Sequence, residues 1–501
     1  MMKDVHQGDD GEETTVRELK ATRGEMDDSS REPARRSLHA RYGEQIGTGL
    51  LILWVVAALL LTRHVPLIRG YPVAMSQAAI LVFFTVCSWA LGLLKEPVTT
   101  LLFFLFVMLF GVAPAQTVFA GFTSPAWWLV FGGAITGVAV RATGLASRFS
   151  HFLLAARMDT YGHYVAAVAV GAVALAFVMP STTGRVMLLT PLALTLADRL
   201  GFEPGRRGRT GLVMAVAAGS YMPPTSILPA NIPNSVLLGA AQSLYGVRLH
   251  YGPYFLLHFP VLGALKTAVL VWLICRLFPD RVASASRPEV EGERLSRREW
   301  TLTAILGLSL LCYATDFWHG VSPAWVSLAA GVACLLPQTG VVPVKDFTEQ
   351  VHVTPLIYVA GFLGLGALIS GSGLGSWAAT LLLHWIHMVP GSIQTNVIWL
   401  ELIGACIGLL TTLPGLPAVL TPVAGQFAHA SGLPLYMVLM LQVPVFSTVF
   451  LPYQSPPMMI AMHMGGVSLR DGTRLCLSLA AITVIVLLPL DWMWWRLLNM
   501  I

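Results

Sequence analysis

FVMPSTTGRVMLLTP occupies residues 177–191. Its flanks are greasy enough for lipid, yet its middle holds Ser181, Thr182, Thr183 and an arginine, Arg185. A Pro/Gly-interrupted apolar segment is no plain span. A broken helix leaves N–H and C=O groups without partners, which a bilayer tolerates only where they line a cavity or hold an ion. The rest of the chain decides whether a bilayer is involved.

Of 501 residues, 55% are hydrophobic and 11% charged, against about 25% charged in soluble domains. Apolar runs of about 17–25 residues, each long enough to cross hydrocarbon as a helix, recur from residue 49 onward. The expected fold class is an all-α polytopic membrane protein in the lipid bilayer, with no soluble domain between spans. The net charge of +5 does not indicate nucleic acid, because Lys and Arg gather in short loops beside the spans, a topology signal. The six cysteines show no metal-ligand spacing and read as small core residues.

Residues 1–46 are polar without an apolar period and read as a disordered cytoplasmic tail. Residues 47–72 hold the first transmembrane helix, too deep in the chain for a cleavable signal peptide. Spans follow near 76–94, 98–115 and 126–141, then an amphipathic stretch. Broken segments cover 163–197 and 210–243, the second carrying MPPTSILPANIPN, and a span fills 253–278. The stretch 279–298 is a cytoplasmic linker. The series then restarts, with spans near 300–317, 321–338 and 354–370, broken segments at 393–430 and 434–466, and a last span at 473–498.

The restart is a repeat. STTGRVMLLTPLALTLADRLG (181–201) lies over TLPGLPAVLTPVAGQFAHASG (412–432), pairing Gly184 with Gly415 and Thr190-Pro191 with Thr421-Pro422. TGLAS (143–147) lies over SGLGS (372–376), and LPANIPN (228–234) over LPYQSPP (451–457). If 163–197 and 393–430 are re-entrant hairpins, a cytoplasmic N-terminus puts most of the loop Arg and Lys inside and only Arg63, Arg69, Arg248 and Arg496 outside. The first hairpin then opens inward and the second outward. Repeat 1 spans 73–278 and repeat 2 spans 299–501, giving about 11 transmembrane helices plus two re-entrant hairpins in two inverted-topology repeats. The alternative is that both hairpins are kinked full spans. Inverted repeats with paired broken helices mark a secondary transporter with a midplane site, where free N–H groups favour anions and free carbonyls favour cations.

PSTTGRVMLLTPL, running into an apolar helix, and the later Asn/Pro loop resemble the divalent anion/sodium symporter family of di- and tricarboxylate and sulfate carriers. The resemblance covers about residues 76–498. It implies that Ser181, Thr182 and Thr183 touch a substrate carboxylate. It also implies that Ser181, Thr182 and Asn234 contribute to a sodium site. Asn231, Pro233 and Asn234 would form the facing loop, with Thr412, Gln454, Ser455 and Pro456 as second-half counterparts. Leu413, Pro414 and Met458 depart from the family pattern, at positions where the family has polar side chains. The resemblance further implies a small anionic substrate, sodium as coupling ion with no other cofactor, a homodimer and a place in the cell (inner) membrane.

Arg185 sits at a half-helix start, where a cation has no helix-dipole reason to be. Its partner is either the substrate's second carboxylate or a structural carboxylate or carbonyl, and its charge tilts the reading from sodium symport toward exchange. Glu401 reads either as a proton or cation ligand or as an interfacial side chain. DWMWWRLL, from residue 491, reads as an interfacial aromatic belt. An arsenite or sodium/proton antiporter is the alternative within transport. An enzyme lacks a convergent catalytic set, and a sensor lacks an output domain.

Overall fold

The computed structural model describes residues 47–63, 67–68, 70–145, 148, 158, 160–282, 295–386 and 388–500. The polar tail, most of the amphipathic stretch after residue 141 and much of the linker lie outside the described residues. The chain divides into two units, residues 1–65 and 66–501. The first contributes one described helix, α1 (Gly47–Thr62), short and apolar.

The second unit is helical wherever it is regular, and no strand occurs among the described residues. Its first helices are α2 (Val73–Leu91), α3 (Glu96–Phe110) and α4 (Pro125–Ala142). Next come α5 (Tyr161–Val178), α6 (Thr182–Arg199), α7 (Arg207–Gly219), α8 (Ile232–Tyr245) and α9 (Tyr251–Leu277). After the linker follow α10 (Arg297–Ala314), α11 (Pro323–Leu335), α12 (Thr354–Gly371), α13 (Leu374–Trp385) and α14 (Ile393–Leu410). The chain closes with α15 (Leu416–Leu420), α16 (Ala424–Ser431), α17 (Leu435–Ser447), α18 (Pro456–Met464) and α19 (Leu469–Leu497). Six helices of the described residues are long and apolar enough to cross a membrane. The chain is an integral membrane protein.

Local chemistry sets the ends. Helices α4 and α11 both open on Ser-Pro-Ala-Trp, with Ser124 and Ser322 accepting from the N–H two residues on. Proline at the first turn costs nothing there, because its N–H would be unsatisfied anyway. The two helices pack so closely that a Cβ on Gly132 would lie 2.4 Å from the Ser327 backbone. Ser327 Oγ donates across the seam to the Leu129 carbonyl at 3.0 Å.

Two helical hairpins position the site. The start of α5 and the turn just after α6 meet, with the rings of Tyr161 and Phe202 5.8 Å apart. Helices α5 and α6 are therefore antiparallel arms joined by a tip at residues 179–181. The second hairpin runs from α14 through a tip at residues 411–412 into a 3-10 turn, Leu413–Gly415, then α15 and α16. Asn396, near its open end, donates to the carbonyls of Val389 at 2.8 Å and Ser431 at 2.9 Å, tying the start of α14 to the end of α16. The other two broken segments are α7 with α8, interrupted at Ser220–Asn231, and α17 with α18, interrupted at Thr448–Ser455. Helix α18 packs on α6 and α7, so elements of the second half bear directly on the first hairpin.

Candidate functional site

The four breaks converge on one cavity of about 800 Å³. The first hairpin tip supplies Pro180, Ser181, Thr182 and Thr183, and the loop into α8 supplies Asn231 and Pro233. The second half adds Pro414 from its hairpin tip with Pro456 and Pro457 from the start of α18. The tip fits because α4 presents Gly133, whose Cβ would come within 2.9 Å of Pro180. Helices α6, α8 and α18 all begin at this wall, so their N-terminal ends face the same space. Free N–H groups and helix dipoles so arranged favour an anion.

Beneath the tip lies Arg185, fully buried. Its Nη1 donates to the carbonyls of Met179 at 2.5 Å and Ala230 at 3.1 Å. Its Nη2 donates to the Ser220 carbonyl at 2.7 Å, Asn231 Oδ1 at 3.0 Å and Thr182 Oγ1 at 3.2 Å. Met179 and Ser220 are the residues that cap the C-terminal ends of α5 and α7, so the guanidinium gathers carbonyls that two helix C-termini leave free. Of the two partners open for Arg185 in the sequence, the geometry places it on carbonyls. It remains one hydrogen bond from the cavity, because Thr182 and Asn231 line it. Thr182 Oγ1 donates to Asn231 Oδ1 at 2.6 Å, and Asn231 Nδ2 donates to the Tyr221 carbonyl at 3.0 Å.

The remaining candidates are distributed unevenly. Ser181 caps α6, its Oγ accepting from the Gly184 N–H at 3.1 Å. Asn234 is fully buried and donates to the carbonyls of Thr225 at 3.0 Å and Ile227 at 2.7 Å, leaving Oδ1 without a partner among the described residues. Thr412 bonds the Tyr358 hydroxyl at 3.3 Å. Gln454 is consumed structurally: its Nε2 takes the Gly408 carbonyl at 2.5 Å and its Oε1 accepts from the N–H of Phe450 and Leu451. Ser455 is buried with its Oγ unpartnered among the described residues, one residue before the cavity-lining Pro456.

The cavity also takes Glu96, Tyr221 and Tyr358, none of which the sequence marked. Glu96 begins α3 and Tyr358 lies on α12, both outside the broken segments. Tyr221 directly follows the break at Ser220, and that position was a legible signal. Of the terminal tryptophans, Trp495 is fully buried and so is not part of an interfacial belt, while Trp492 is partly exposed and its Nε1 donates to Glu401 at 3.2 Å.

Broken helices from both halves of an integral membrane protein, closing on one cavity, define a membrane carrier. The sodium:sulfate symporter transmembrane region family matches residues 48–501, and the chain belongs to that family. The citrate/succinate antiporter of Escherichia coli K12 is 25% identical over 402 residues, covering 74% of this chain and 79% of the relative. A membrane protein of Cupriavidus necator is 22% identical over 477 residues, covering 89% and 92%. The crystal structure of the YdaH transporter of Alcanivorax borkumensis covers 85% of this chain and 97% of its own at 18% identity, with a TM-score of 0.46. A likeness that loose carries no argument.

Proposed function

We propose that this protein is a secondary active carrier that exchanges small di- or tricarboxylates across the inner membrane by alternating access. The observation that carries the reading is the convergence of tips and helix N-termini from both halves on one cavity, with the fixed charge of Arg185 beneath it. A divalent anion needs compensating positive potential to leave water, and the N-termini with the guanidinium supply it.

The same guanidinium bears on coupling. It occupies the point where the carbonyls of Met179, Ser220 and Ala230 meet Asn231 Oδ1, an oxygen set of the kind a small cation would need. Ser181, Thr182 and Asn234 share no common partner there. In this reading the first half carries its cation covalently and exchange needs no sodium. The E. coli relative's name, an antiporter of citrate and succinate, supports the same substrate class and mode.

The membrane arrangement is about 11 transmembrane helices with two re-entrant hairpins in inverted repeats, the N-terminus cytoplasmic and two copies forming a dimer. The closed open ends of both hairpins support it. The hairpins and their facing broken helices move together around the anion, while the tightly seamed α4 and α11 stay fixed. Purified protein in proteoliposomes, loaded with unlabelled succinate, is expected to take up labelled succinate, malate or citrate. Failure of these and of sulfate to enter, with folded protein, would overturn the reading.

A further inference from the structure

The second-half break has a cation of its own. Lys266, on α9, is fully buried, and its Nζ donates to the Ser447 carbonyl at 2.7 Å and Ser447 Oγ at 3.1 Å. Ser447 is the last residue of α17, where that broken helix runs out. Asp491, on α19, is also fully buried, and neither carboxylate oxygen has a donor among the described residues. Trp495 Nε1 faces it without closing a hydrogen bond. Lys266 and Asp491 interact electrostatically without a direct ion pair. Each follows a π-helical segment, Phe259–Leu265 or Thr483–Leu487, and the two segments pack together. Such turns recur at functional sites.

Two more titratable side chains adjoin this pair, His258 through the Trp495 ring and Glu401 through Asp491. His258 is fully buried with both ring nitrogens unpartnered among the described residues, between the rings of Tyr254 at 4.7 Å and Trp495 at 5.6 Å. Glu401, on α14, is half-buried, bonded by Trp492 and electrostatically coupled to Asp491. One helical turn from Glu401 begins a cleft of about 590 Å³ between α14 and α19, lined by Val397, Trp492, Gln394, Ile393 and Arg496. It lies where α14 starts and α19 ends. An intramembrane carboxylate without a hydrogen-bond donor is costly to keep and marks function rather than packing.

We infer that Asp491 is a proton site filled from this cleft through Glu401, and that its occupancy sets the charge at the second break through Lys266. The Glu401 carboxyl passes its proton to the Asp491 carboxylate and takes another from water in the cleft; only O–H bonds break and form. With Asp491 ionised, its charge offsets the ammonium. With Asp491 protonated, Lys266 stands alone on the Ser447 carbonyl, and the break carries one positive charge. That charge is close to the substrate: the neighbouring Phe446 carbonyl accepts from the Tyr221 hydroxyl at 3.4 Å, and Tyr221 lines the cavity. An anion therefore binds more tightly with the proton on and leaves more readily with it off. This rests on the carrier reading above.

The test measures proton uptake when succinate, adjusted to the same pH, is added to detergent-solubilised full-length protein in weakly buffered solution. Anion exchange is followed separately in proteoliposomes. The wild type is expected to take up protons toward one per anion bound. Asp491→Asn is expected to take up none while still exchanging anion, at a rate that no longer follows external pH. Glu401→Gln, nearer the surface, is expected to slow the pH response severalfold and so serves if Asp491→Asn does not fold. Proton uptake in Asp491→Asn equal to the wild type, or wild-type exchange without any proton uptake, overturns the proton site. Absence of anion exchange in the wild type overturns the carrier reading instead.

Discussion

Replacing Arg185 with Gln removes the donors for three carbonyls and two side-chain oxygens, all buried. A Gln amide reaches one of the carbonyls, so two are left bare. A buried group stripped of its partner costs about 1–3 kcal/mol, which puts the loss at about 2–6 kcal/mol. That is a large share of the ~5–15 kcal/mol that holds a typical fold. Thermal unfolding of the purified protein in detergent is the assay, followed in sodium chloride and in choline chloride. The variant is expected to melt lower by on the order of 5 °C or more, and sodium is expected to restore part of the loss by entering the vacated oxygen set. The wild type, with the guanidinium in place, is expected to melt identically in both salts. A variant melting as the wild type does, or a wild type stabilised by sodium, would refute the reasoning.

Gly132→Ala is expected to abolish folded yield in membranes, measured by size-exclusion profile, because its Cβ would lie 2.4 Å from the Ser327 backbone, which cannot yield without parting α4 from α11. Thr183→Val removes a cavity-lining hydroxyl that caps nothing, and is expected to raise the KM for succinate about tenfold, the worth of one hydrogen bond to a charged group, with unchanged melting. At the open end of the first hairpin, burial alone would raise the Asp280 pKa. The hydrogen bonds from Arg206, the Arg281 and Gly208 N–H groups and the Arg206 charge outweigh it and hold the carboxyl below its ordinary 3.8. A lowered folded pKa means stability present above the unfolded value and lost as pH falls through the folded one. The melting difference between wild type and Asp280→Asn is therefore expected to be full near neutrality and to vanish only below pH 3.8.

The helices lie along the apolar runs, since length and composition alone specify a span. The breaks were equally plain, because Pro and Gly write them locally: the tips at Met179–Ser181 and Thr411–Thr412 lead directly into the stretches that the repeat aligned. Arg185 was visible as an anomaly but not in its role, because two of its carbonyls sit 35 and 45 residues away, at Ser220 and Ala230. Which way Gln454 and Asn234 point was illegible for the same reason. Lys266, at the middle of the 253–278 run, was a legible anomaly that went unmarked, whereas Asp491 carried no local signal: near the end of an apolar run, a buried charge and a snorkelling one have the same spelling. Only the tertiary packing of two π-helical segments separates them.

The most direct test of the account is labelled succinate entry into proteoliposomes under matched sodium and choline salts, with and without succinate inside. Rapid entry that requires internal succinate and is the same in both salts is the predicted result. Accumulation in empty vesicles driven by a sodium gradient would contradict it.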